Sequence, residues 1–127
     1  FSSPIFGYFG EGYDKLKEVK TITYKNHYDV FGDGRVELLA MPGHTPGSAV
    51  LKVELAKSGT VLLSGDLYVH ARGRALNTMH AYNADKGLTL KSRKRFEQIA
   101  VEEKARIIIQ HDPNDYQSLP KYPAYLD

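Results

Sequence analysis

Three short segments of this chain each set a metal-competent side chain just past a run of strand-forming residues. The first is Met41-Pro42-Gly43-His44-Thr45-Pro46-Gly47, in which prolines and glycines fix a tight turn around one imidazole. The second is Leu62-Leu63-Ser64-Gly65-Asp66, where a carboxylate follows an apolar run and a glycine permits close backbone approach. The third is Ile108-Ile109-Gln110-His111-Asp112, another apolar run that ends at an imidazole. Taken singly, a loop histidine is more often a hydrogen-bonding residue than a ligand, and an aspartate after a strand is more often a turn former. Strand ends along one edge of a sheet converge in space, however. Together, and in this order, the three segments read as one cluster of metal ligands: His44, Asp66 and His111.

Delivering those side chains to one place requires strands that stop where the ligands begin. Residues 35–41 are rich in β-formers and end at Pro42. Residues 48–55 alternate, with Ala49, Leu51, Val53 and Leu55 on one face. Residues 60–63 form a short apolar run bounded by Ser58-Gly59 and Ser64-Gly65, the pattern of a buried strand. Residues 106–110 form another, leading directly into His111. Upstream, Asp29-Val30-Phe31-Gly32-Asp33-Gly34 predicts a β-hairpin, with Asp33-Gly34 as a two-residue turn. Residues 89–104 read as a helix with Thr89 as N-cap and Leu90, Phe96, Ile99 and Ala100 near one face. Residues 68–87 form a polar stretch of the length that functional loops have. A short helix is expected over 13–19, with Leu16 and Val19 on one side, and a strand over 21–24. Residues 1–12 and 112–127 are expected to lack regular structure, the latter as a covering segment. This order of elements predicts an α/β layered domain.

With 127 residues, 42% of them hydrophobic and 25% charged, the chain is sized for one domain, or a piece of one, with a single modest core. The formal charge of +2 is scattered. Only residues 91–95 gather basic side chains, and these are expected on a solvated helix face. No nucleic-acid or membrane partner is therefore expected. There is no cysteine, which excludes disulfides and thiolate metal sites. The chain opens Phe1-Ser2-Ser3-Pro4 without an initiator methionine, and the expectation is a piece of a longer protein.

Gly43-His44-Thr45-Pro46-Gly47, Ser64-Gly65-Asp66 and His111-Asp112-Pro113 resemble the metallo-β-lactamase superfamily. Within it, the segments 29–34, 62–68 and 108–113 and the ending Leu119-Pro120-Lys121-Tyr122-Pro123-Ala124-Tyr125-Leu126-Asp127 are similar to bacterial N-acyl-homoserine lactonases. The resemblance implies the C-terminal half of an αβ/βα sandwich with two metal ions at one edge. It implies that His44 ligates one ion, Asp66 bridges both and His111 ligates the other. Zinc suits imidazole and carboxylate donors without thiolates. The chemistry implied is metal-assisted hydrolysis, opening the lactone ring of an acyl-homoserine lactone. Asp66 would also orient the nucleophile, and Tyr68, two positions after it, would contact the substrate carbonyl or leaving oxygen. Thr45 and Asp112 are placed to orient His44 and His111 through hydrogen bonds, and Ser92 has a counterpart in the family.

The superfamily's H-x-H-x-D-H signature, which supplies the remaining ligands, does not occur in these 127 residues. His27, His70 and His80 lack its spacing. His27 is expected to be structural, and His70 and His80 to lie on the surface or line a cleft. Three ligands shared between two ions predict weak metal binding and little turnover by this chain alone. A partner chain or the N-terminal half would complete the site. Two alternatives follow: hydrolysis of another ester, lactone, thioester or phosphodiester on the same metals, or a noncatalytic module that folds by association because its sheet is uncovered.

Overall fold

The computed structural model describes residues 18–79 and 81–127. The expected lead-in over 1–12, most of the helix expected over 13–19, and His80 lie outside them. Five strands form one sheet in the order β1-β2-β3-β4-β5. They are β1 His27–Asp29, β2 Val36–Ala40, β3 Ala49–Leu55, β4 Gly59–Leu63 and β5 Arg106–Ile108. Among the described residues three helices accompany them: α1 Ala71–Ala75, α2 Lys86–Glu102 and α3 Pro113–Ser118, with a 3-10 turn at Gly65–Leu67. Neighbouring strands are antiparallel except β4 and β5, which are parallel, with Leu63 opposite Ile108. This pairing makes β2, β4 and β5 run in the same direction. The segments after all three therefore leave the sheet at one rim, and those segments carry His44, Asp66 and His111.

The hairpin forms, but not through a two-residue turn. Six residues, 30–35, separate β1 from β2, and Val30 N–H donates to Val36 O at 2.8 Å. The Asp29 carboxylate organises this loop by accepting the amides of Phe31 (3.3 Å), Gly32 (2.9 Å) and Gly34 (2.8 Å). Gly32 and Gly34 take φ of +76° and +73°, which a β-carbon would strain. The strand expected over 21–24 does not form: these residues carry no regular secondary structure and pair with no strand of the sheet.

One side of the sheet faces α2. Leu39, Met41, Val50, Leu62 and Ile109 pack there with Phe96 and Ala100 of the helix and with Leu67 and Tyr68. In β3 the alternation holds: Ala49, Leu51, Val53 and Leu55 share one face. That face is only half-buried, whereas Val50 on the opposite side is fully buried. Lys52 follows Val50 on the α2 side, with its ammonium 3.4 Å from each of Glu37, Glu54 and Glu103. Burial opposes that charge, but the three carboxylates outweigh it and raise the lysine's pKa.

Helix α2 begins at Lys86, three residues earlier than expected. Asp85, not Thr89, caps it by accepting the Leu88 amide at 2.8 Å. Its buried stripe is Thr89, Ser92, Arg93, Phe96 and Ala100, while Leu90 is 43% exposed. The basic run is thus not wholly solvated. Arg93 is buried, lies 4.5 Å over the Tyr68 ring, and donates to Leu67 O, Asn77 Oδ1 and Thr78 O. The stretch after Tyr68 contains α1, and the tail contains α3, capped by Asp112 with Pro113 in its first turn. The tail then runs the length of the sheet. Asp127 returns to the β3–β4 turn, where its carboxylate meets Lys57 at 2.6 Å and its carbonyl accepts from Ser58 at 2.8 Å.

Candidate metal centre

The loop that carries His44 is fixed to the N-terminal end of α2 through its backbone. Ser92 donates its hydroxyl to Pro42 O at 2.6 Å, Asp85 N–H donates to Gly43 O at 2.9 Å, and Ala84 N–H donates to His44 O at 3.1 Å. Gly43 must be glycine on two counts. Its φ is +143°, and a β-carbon there would sit 2.4 Å from the Thr89 nitrogen. The Asp66 turn is held differently. Gly65 takes φ +52° with space for a β-carbon closed off by Ala49 O at 2.8 Å, and its amide donates to the Gln110 side chain at 2.9 Å. Gln110 immediately precedes His111, so one side chain ties the aspartate turn to the histidine turn.

These restraints bring the three expected ligands together. His111 Nε2 is 2.9 Å from Asp66 Oδ1, and His44 Nε2 is 3.8 Å from Asp66 Oδ2. One imidazole thus stands at each oxygen of a single carboxylate. Side-chain exposure is 25% for His44, 53% for Asp66 and 55% for His111, so the cluster is open to solvent on one side. Among the described residues no group of three or more histidine, cysteine or acidic side chains is arranged to hold a metal ion, the trio His44, Asp66 and His111 included. That agrees with the geometry, in which the two imidazoles address opposite oxygens rather than one shared position.

Tyr68, Thr45 and Asp112 fall elsewhere than expected. Tyr68 does not join the cluster. It is buried between Phe96 and Arg93, and its hydroxyl donates to Glu97 at 2.8 Å. Burial and that hydrogen bond push the phenol well above its usual pKa. Two bonds from Arg74, at 2.8 and 2.6 Å, fix the same Glu97, and they hold its carboxyl low against the opposing effect of burial. Thr45 pairs with Ser48 at 2.9 Å rather than with His44. Asp112 does not meet the His111 ring. Its carboxylate accepts the amides of Ala71 and Asn114, at 2.8 and 2.9 Å, which hold its carboxyl low and join the starts of α1 and α3. His70 precedes α1, exposed, on a cleft of about 180 Å³ lined also by Asp66, Thr78, Met79, Asn83 and Arg93. His27 sits in β1. The partner that sequence reasoning missed is Asn83, whose Oδ1 lies 3.2 Å from His44 Nδ1. It comes from the polar stretch, where no periodicity marks any one residue.

The fold is the one found in solved lactonases of the metallo-β-lactamase fold. A solved N-acyl homoserine lactone hydrolase, described with the product N-hexanoyl-L-homoserine at its catalytic metal center, superposes with a TM-score of 0.73 at 30% identity, covering 96% of this chain and 49% of that one. Architecturally, the present chain is the C-terminal half of such a sandwich. Its curated homologues are N-acyl homoserine lactonases. The enzyme AttM of Azorhizobium caulinodans is 33% identical over 105 residues, 80% of this chain and 39% of its own length. AttM of Rhizobium radiobacter is 31% identical over 125 residues, 94% of this chain and 46% of its own. The chain thus spans under half the length of these two relatives. No family model matches it.

Proposed function

We propose that this chain forms the C-terminal part of a metal-dependent hydrolase that opens the lactone ring of N-acyl homoserine lactones. His44, Asp66 and His111 are its share of a dinuclear site. The observation that carries the reading is the carboxylate of Asp66 with one imidazole at each oxygen, the arrangement a bridging ligand between two ions needs. Borderline divalent ions such as zinc suit this donor set. When bound, such ions activate water and polarise a carbonyl. In this reading Asp66 would be shared by the two ions and His44 and His111 would each hold one, while the polypeptide restraints on Gly43 and Gly65 keep the three side chains in place.

Three side chains do not saturate two ions, so further ligands come from polypeptide outside these residues. The half-buried sheet face with Leu38, Leu51, Val53 and Leu63 is where a second sheet would pack. The test is complementation. This chain, co-expressed with an N-terminal half bearing H-x-H-x-D-H, is expected to open N-hexanoyl homoserine lactone in a zinc-dependent way and to lose that activity with Asp66→Ala. Turnover that ignores Asp66→Ala would contradict the site. Turnover of phosphodiesters but not of lactones would contradict the substrate.

A further inference from the structure

His44 is gripped by two successive residues of a distant segment. Asn83 Oδ1 stands 3.2 Å from its ring Nδ1, and Ala84 N–H donates to its carbonyl at 3.1 Å. The segment is itself anchored, because Asp85 donates its amide to Gly43 O and caps α2 with its carboxylate. Ring and backbone of the histidine are therefore referenced to the same rigid helix start.

An amide oxygen only accepts, so a bond to Asn83 Oδ1 places a proton on His44 Nδ1, and in the neutral ring Nε2 then carries the lone pair. That lone pair looks at Asp66 Oδ2 across 3.8 Å, beyond hydrogen-bond length. At His111 the corresponding separation is 2.9 Å, the length of an Nε2–H donating to Oδ1. With neutral rings, the two histidines would meet the same carboxylate in opposite tautomers, Nδ1–H at His44 and Nε2–H at His111. At His44 two acceptors face each other, an arrangement that a cation between them stabilises.

We propose that Asn83 is a positioning residue for His44: it selects the Nδ1–H tautomer, fixes the ring direction and so presents the Nε2 lone pair for metal ligation. The inference rests on His44 being a ligand, but its tautomer component is readable in the metal-free protein. Metal-ligating histidines commonly depend on such a partner at the other ring nitrogen, whose loss weakens metal affinity about 10–100-fold.

The experiment is ¹⁵N NMR of the histidine rings in the metal-free protein, followed by a zinc titration. Wild type and Asn83→Asp, whose carboxylate accepts the same proton, are expected to show the Nδ1–H pattern at His44. Asn83→Leu is expected to shift it toward Nε2–H and to weaken zinc binding about 10–100-fold. Asn83→Ser, too short to reach the ring, serves if the leucine variant does not fold. An Nε2–H pattern in wild type overturns the proposal, and so does unchanged zinc affinity in the folded leucine or serine variant. A wild-type Nδ1–H ring that ignores zinc contradicts the ligand reading of His44 and leaves the Asn83 contact standing.

Discussion

The two ends of α2 are held to the sheet by different physics. Toward its C-terminal end the helix buries Phe96 and Ala100 against Leu62, Met41 and Ile109, and burial of apolar surface does the work. Toward its N-terminal end the buried residues are Thr89, Ser92 and Arg93, which meet backbone carbonyls and tight turns. The apolar end supplies stability without direction. The polar end supplies direction, since Ser92 bonds Pro42 O in the loop that carries His44 and Arg93 bonds Leu67 O just after Asp66. A ligand cluster needs the second kind, and it stands at that end.

The largest effect separating the two regions is expected from Phe96→Ala, at about 3–5 kcal/mol of unfolding free energy in denaturant titration. A loss under about 1 kcal/mol would mean that the apolar end is not the main source of stability. Next comes Gly43→Ala, whose β-carbon has no room beside the Thr89 backbone. About 2 kcal/mol or more should be lost, and the His44 ring resonances should move with it. Ser92→Ala removes one bond to Pro42 O and should cost about 1 kcal/mol. Its mark is a displaced His44 in a protein that still folds; an undisturbed His44 would deny the polar end its directing role.

The smallest effect is the pH dependence. Glu97 and Asp112 have lowered pKa values, the first chiefly from Arg74 and the second from the Ala71 amide. Their contribution is complete above the unfolded carboxylate values and is lost as pH falls below about 4. Tyr68 has a raised pKa, chiefly from burial. The unfolded chain gives up that proton more readily, so stability should also decline above about pH 10. Thermal melts across that range check both, and a flat profile at either end would remove the corresponding group from the account.

What was legible in the sequence follows the same division. Strands β2 to β5 and the C-terminal part of α2 announced themselves through alternation and apolar runs, because burial selects residue type. The ligand trio was legible because glycine, proline and strand ends mark where a backbone turns. The supporting bonds were not. Ser92 reaches Pro42 across 50 positions and Asn83 reaches His44 across 39, and nothing local in either residue records its partner. Thr45 and Asp112 misled for that reason: adjacency suggested the histidines, whereas geometry gave them Ser48, Ala71 and Asn114. The start of α2 was misread because Thr89 looks like a cap, yet its hydroxyl bonds back to Asp85 O at 2.7 Å inside the first turn.

Cooperation of the two imidazoles around the Asp66 carboxylate is the central claim, and a zinc titration followed at the ring resonances of His44 and His111 tests it most directly. Both rings should respond to added metal, and Asp66→Ala should abolish both responses. Rings that fail to respond, or that respond equally well without Asp66, would contradict it.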